Sequence, residues 1–368
     1  MKKDKPIQNY QDYLNLDLLL SAQKLESKKS GKEAHDEMLF IITHQVYELW
    51  FKQILFEIDS VLNDFNRNKI NESHIAVAVG RLERINKIQE LLIDQIKILE
   101  TMTPMDFLDF RDLLTPASGF QSAQFRLIEN KIGLSNDSRH SYGGENYKSK
   151  IHKKQQGVIE KSEKSKSLFD LVMRWLERTP FLDFENFNFW EQYRNSVDNM
   201  LSKEKDIINK NNSLSKDEKQ NHLRQFNVTE KMFNSLFDES TFSKRIEKGE
   251  SRLSYKATHA ALLIFLYRDQ PILHNPYKLL SCLIDLDELL TTWRYKHYLM
   301  ATRMIGRKIG TGGSVGAAYL NKATQKHRVF DDFTSLTTFL IPRSELPSLP
   351  EHVLRSLSFH YDIIRDNN

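Results

Sequence analysis

Two histidines stand alone on the apolar faces of two long helical patterns. In MLFIITHQVYELWFKQILFEIDSVL, residues 38–62, Phe40, His44, Tyr47, Phe51, Leu55 and Ile58 recur at helical spacing and share one face. In residues 278–316, KLLSCLIDLDELLTTWRYKHYLMATRMIGRKIGTGGSVG, the apolar row is Leu286, Leu290, Trp293, Met300 and Met304, and His297 falls within it. One such imidazole is ordinarily a satisfied core residue, whereas two on separate long helices suggest a shared site. A metal held by these two alone is under-coordinated, since zinc sites take three or four protein ligands. A haem needs one axial imidazole and can use a second histidine on its open face, so haem employs both. His35-Asp36-Glu37 offers a competing H-x-E pair for non-haem iron. That arrangement sits on barrel strands, and no strand pattern is evident here.

Arg111 lies between Phe107 and Phe110 and the turn Pro116 to Gly119. Its planar fork suits a carboxylate, although Asp109 and Asp112 make a structural ion pair the default. Past His297, five of the thirteen glycines fall between Gly306 and Gly316, a backbone able to turn tightly or approach a neighbour closely. Gly310-Thr311-Gly312-Gly313 has no following Lys-Ser or Lys-Thr and follows a helix instead of a strand, so it is not a phosphate loop.

The elements that must position these residues are helices. The nine prolines are confined to positions 6, 104, 116, 180, 271, 276 and the tail from 342 to 350. Between them run long tracts of helical period, with no convincing alternation, which predicts an all-α chain. Helices are expected over about residues 10–24, 35–66 and 72–100, then a kinked region to Gly133. Residues 135–166 and 203–225 are rich in Lys, Ser and Asn. They read as a polar helical excursion, about 135–250, on a single domain spanning 1–368. With 40% apolar residues, including 22 Phe, the chain can fill a sizeable core. Its 53 basic and 49 acidic residues leave +4, too balanced to point to nucleic acid. Cys282 is the one cysteine, so no intramolecular disulfide forms and a reducing compartment fits. The N-terminal MKKDKPIQNYQDYL lacks the apolar core of a signal peptide. The longest apolar run, Ala260 to Tyr267, is too short to span a bilayer. A cytoplasmic protein without membrane partners is expected.

HDEMLFIITHQVYELWFKQILFEIDSV, FRDLLTPASGFQSAQFRLIENKIG, WRYKHYLMATRMIGRKIGTGGSVG and TFLIPR strongly resemble blocks of the tryptophan 2,3-dioxygenase family. The likeness runs almost from Tyr10 to Pro350 and is weakest in the polar excursion. It implies a multi-helix haem-binding bundle with haem b, ferrous when active. It further implies a reaction of L-tryptophan with O₂ to N-formyl-L-kynurenine, the first step of the kynurenine pathway, and a homotetramer. By this resemblance His297 is the axial iron ligand, Trp293 packs the proximal side, and Ser118 lies near the haem. Phe40, Ile41, Ile42, Thr43 and His44 line the distal pocket, with Phe40 against the indole and His44, the catalytic residue, near its N–H. Arg111 binds the substrate carboxylate, and Thr311 holds the ammonium with help from a haem propionate. Tyr10 and Tyr13 reach into a neighbouring subunit, so residues 1–25 are exchanged. Phe107 stands where some members carry tyrosine, and Met38 replaces a frequent histidine. Two other readings stay open: a haem- or tryptophan-binding sensor without turnover, and a haem dioxygenase of broader indole specificity.

Overall fold

The computed structural model describes residues 9–135, 147–179, 183–184, 187–306, 308, 320, 324 and 327–357. The expectation of an all-helical architecture is borne out among the described residues. Two long helices form the frame, α4 (Glu37–Phe65) and α5 (Glu72–Leu99). Short pieces precede them: α1 (Tyr10–Leu14), α2 (Leu16–Leu20) and α3 (Glu26–Lys29). After α5 come α6 (Pro104–Arg111), α7 (Ala123–Ile132), α8 (Lys153–Lys164) and α9 (Leu168–Leu176). The excursion supplies α10 (Phe189–Lys210), α11 (Lys216–Phe237) and α12 (Glu239–Glu247). Then follow α13 (Tyr255–Leu266) and α14 (Pro271–Ile305), with α15 (Asp331–Ser335) and α16 (Glu351–Leu357) in the tail. Among the described residues the one ladder is antiparallel, Asp183–Phe184 against Phe187–Asn188.

Local chemistry sets the boundaries. Pro104 opens α6 behind a Thr103–Asp106 capping box, and Ser122 caps α7 by accepting the Phe125 N–H at 3.2 Å. Helix α7 stops at Gly133, whose φ of 114° only glycine adopts readily; an added Cβ would also stand 2.8 Å from Phe169 Cβ. The N-terminal pattern, expected as one helix, breaks at Asn15, which takes a left-handed conformation with φ 56°. Asparagine tolerates that region better than most residues.

Helix α14, about 52 Å long at 1.5 Å per residue, packs along α5, and α5 packs along α4. Leu82 and Ile85 of α5 and Leu279, Leu283 and Leu286 of α14 are wholly enclosed. Asn86 ties the two helices by donating to the Cys282 carbonyl at 3.0 Å. Asp287, buried on α14, accepts the Val329 and Phe330 N–H groups at 2.9 and 3.2 Å and so fastens the tail. The polar excursion rests on the same apolar cluster through Phe189, Tyr193, Val197 and Phe233. A second, smaller cluster joins the C-terminal ends of α5 and α14 to α6 through Ile96, Leu99, Phe107, Phe110, Met300 and Met304. No helix of the described residues is long and apolar enough to cross a membrane.

Candidate active site

A cavity of about 260 Å³ opens between the two apolar clusters. Helix α4 contributes Phe40, His44, Tyr47 and Phe51, and α14 contributes Trp293, His297, Met300 and Met304. Both sets follow spacings of four, three and four residues, one face of a helix each. Phe107 and Arg111 of α6, Ser118 in the turn, and Phe125 of α7 close the sides.

The two histidines sense each other across this space, since His44 is the second cause, after burial, of a His297 pKa lowered to about 4. His297 is therefore neutral at pH 7 and has a lone pair to offer. Its ring lies parallel to Trp293, 3° between planes and 5.3 Å between centroids, and its Nδ1 has no hydrogen-bonding partner among the described residues. His44 is tied by its own helix. Its Nδ1 stands 2.7 Å from the Phe40 carbonyl, which can only accept, so Nδ1 carries the proton. Burial lowers the His44 pKa, with the Phe40 carbonyl and Glu48 opposing. A neutral ring protonated at Nδ1 presents Nε2 as an acceptor, the partner an indole N–H requires.

Phe40 packs 4.1 Å from His44, 5.7 Å from Phe107 and 5.6 Å from Phe110, centroid to centroid, and forms an aromatic wall. Arg111 is sheltered, its side chain 17% exposed; it stands 3.5 Å from Asp112, whose carboxylate is 92% exposed. Tyr47 donates to the Leu92 carbonyl at 2.5 Å, and burial pushes its phenol up to about 12, so it stays protonated.

Not every expected residue meets the cavity. Ile41, Ile42 and Thr43 do not line it: Ile42 is 43% exposed and Thr43 is buried elsewhere. Tyr10 and Tyr13, expected at a neighbouring subunit's site, are exposed and do not line the cavity of their own subunit. Thr311 and the glycines around it lie outside the described residues. The H-x-E reading loses its carboxylate, because Glu37 is enclosed and accepts from Glu26 and Ser27. Sequence reasoning missed a buried polar group on the wall. Arg126 and Arg294 donate to Glu129 at 2.7 and 3.0 Å, and His327 Nδ1 lies 3.7 Å from the same carboxylate.

Residues 2–340 match the family model described as tryptophan 2,3-dioxygenase. The chain belongs to the tryptophan 2,3-dioxygenase family. It is 53% identical over 356 residues to the tryptophan 2,3-dioxygenase of Bdellovibrio bacteriovorus, covering 97% of this chain and 99% of that one. Identity is 47% to the Dictyostelium discoideum protein of the same name, over 96% and 89% of the two chains. It is 45% to that of Alteromonas mediterranea, over 98% and 99%. The tryptophan 2,3-dioxygenase family is haem-dependent. The cavity fits that group: it is lined by a neutral imidazole on α14, a second neutral imidazole on α4, and largely apolar side chains between.

Proposed function

We propose that this cavity is where the chain acts as a tryptophan 2,3-dioxygenase, taking L-tryptophan and O₂ to N-formyl-L-kynurenine on a haem b. The observation that carries the reading is the pairing of two neutral histidines from two helices in one cavity with Arg111 and Phe40. His297 would hold the iron, with Trp293 fixing the plane of its ring and Ser118 near the haem. The haem, when bound, supplies O₂ activation. Both oxygen atoms enter the product across the indole C2–C3 bond, so the overall reaction needs no external reductant.

The chain's own residues do the rest. A tryptophan zwitterion needs a cation, an acceptor and an aromatic slot. Arg111 takes the carboxylate in a sheltered fork, and Phe40 with Phe107 takes the ring. His44 Nε2 accepts the indole N–H and so sets which edge of the ring faces the reaction. It holds that proton in place and need not remove it. Thr311 is assigned the ammonium group on resemblance alone. The apolar lining excludes water, which strengthens each polar contact.

The assembly is proposed as a homotetramer with exchanged arms. Tyr10, Tyr13, Leu18 and Leu20 are 74, 70, 67 and 71% exposed, and α1 and α2 bury no residue on their own subunit. An amphipathic arm left uncovered in this way calls for a partner surface. The cytoplasm is the proposed compartment, where Cys282, buried and with its thiol pushed up to about 11, stays reduced.

The test is an absorbance trace of the reduced protein with L-tryptophan, first without oxygen and then with it. Appearance of formylkynurenine is expected. Tryptophan binding without product would make the chain a sensor, and equal turnover of indoles without a carboxylate would make its specificity broader. Mixing a chain lacking residues 1–20 with one carrying Arg111→Leu tests the arm. Returning activity is expected, since each supplies what the other's site lacks; none, despite subunit exchange, would place the arm on its own pocket.

A further inference from the structure

The root of the N-terminal arm is fastened to α4 by a buried carboxylate. Glu37, in the first turn of α4, is fully enclosed. One of its oxygens accepts the Glu26 N–H at 2.8 Å; the other accepts the Ser27 N–H at 2.9 Å and the Ser27 hydroxyl. The Ser27 oxygen in turn accepts the Ala34 N–H at 3.0 Å, closing residues 27–34 into a loop. Three donors on one carboxylate are what a buried charge requires. Glu37 does not itself reach the cavity.

A second clasp lies two turns along the same helix. Gln23 donates to the Gln45 side chain at 2.6 Å, and Gln45 donates to the Ala22 carbonyl at 3.3 Å. The arm's root is thus held one turn before Phe40 and again at the residue after His44. Its other side meets the Arg111 wall. Helix α3 packs on the 3-10 turn Asp112–Leu114, and Lys32 stands 3.9 Å from Asp109. Ala34 packs into the cluster that holds Phe107 and Phe110. One short segment therefore touches the arm, the histidine wall and the arginine wall.

We infer that Glu37 is a positioning residue for tryptophan binding, locking the arm's root to α4 and to the Arg111 turn so that all three keep one register. The inference rests on the shared-site reading above, in which the arm completes a neighbour's pocket. It differs from a plain helix anchor in what it moves. An anchor affects folding, haem content and turnover together. A register lock affects substrate binding, and it acts through the arm.

The experiment uses the full-length holoprotein and four variants: Glu37→Gln, Ser27→Ala, deletion of residues 1–20, and the deletion combined with Glu37→Gln. KM for L-tryptophan, kcat, haem per chain and melting temperature are measured for each. Glu37→Gln is expected to raise KM roughly tenfold, the scale of a lost charged hydrogen-bond set, with kcat and haem content little changed. Ser27→Ala should move KM the same way by less, and it carries the comparison if Glu37→Gln does not fold. In the deleted chain, Glu37→Gln should add almost nothing to KM. Parallel falls in haem, kcat and binding would make Glu37 a structural anchor, and full multiplication of the two effects would show that it does not act through the arm. Deletion alone with KM unchanged removes the shared-site reading; Glu37→Gln with KM unchanged removes this inference.

Discussion

Replacing Arg111 with leucine isolates the carboxylate half of substrate recognition. The guanidinium is sheltered beside a largely apolar cavity, and its ion pair with Asp112 is 3.5 Å long with the carboxylate 92% exposed. An exposed pair of that length contributes little, at most about 1 kcal/mol. A substrate carboxylate taking the fork inside the cavity gains a charge-assisted, two-point contact of about 1.5–3 kcal/mol. Arg111→Leu should therefore weaken L-tryptophan binding by roughly 10- to 150-fold, while Phe40 and His44 continue to hold the indole. The assay is a spectral titration of the reduced protein with L-tryptophan, repeated with tryptamine, which lacks the carboxylate. In the unaltered protein tryptamine should bind poorly, because it brings no anion to Arg111. In the variant the ratio of the two affinities should collapse by the same factor that tryptophan loses. Arg111→Lys, which keeps the charge but not the fork, should fall between. If tryptophan and tryptamine lose equally, Arg111 supports the wall structurally and the carboxylate binds elsewhere.

His297→Ala should purify with little haem and no turnover; full haem content would move the ligand to His44. His44→Ala should keep its haem and lose part of its turnover, and loss of the haem would mean that the two faces are exchanged. Since burial lowers the His44 pKa below 6.5, its Nε2 remains an acceptor at neutral pH and is protonated only on the acid side. Activity should accordingly hold through pH 7 and fall only as pH drops through the lowered His44 pKa, below 6.5, with the acid limb missing in His44→Ala. Away from the cavity, burial lowers His259 from 6.5 to about 4, while its Nε2 bonds the Leu236 carbonyl at 3.0 Å. The unfolded chain then takes up a proton that the folded chain refuses, so this stability is complete above pH 6.5 and is lost as pH falls toward 4. Over that window the loss is about 3 kcal/mol, and urea midpoints of His259→Gln should show a flatter acid limb than the unaltered protein.

What could be read from the sequence was whatever depends on spacing along one helix. Phe40, His44, Tyr47 and Phe51 announce their common face through intervals of four, three and four, and the cavity receives all four. The same holds for Trp293, His297, Met300 and Met304. Resemblance between contiguous blocks works against this geometry. It drew in Ile41, Ile42 and Thr43, yet each step along a helix turns the side chain by about 100°, and Ile42 ends 43% exposed. The Asn15 break was invisible for another reason, since apolar periodicity carries no information about one residue's φ.

Burial of charge is the part that no local pattern reveals. Arg126 and Glu129 look like a solvated pair on α7, and Arg294 looks like the polar side of α14. They become a buried group only because α7 and α14 bring them together beneath the tail residue His327. The roles of the two cavity histidines divide in the same way. Spacing marks both as lone imidazoles on apolar stripes and cannot rank them. Hydrogen bonding does: the Phe40 carbonyl fixes the His44 tautomer and aims an acceptor into the cavity, which suits a residue that orients an indole. Among the described residues the His297 ring has no such tether; Trp293 is stacked against it and its Nδ1 is bare. Its orientation is left for packing and, in the function proposed above, for an iron to set, which is why the proposal gives His297 the iron and His44 the indole.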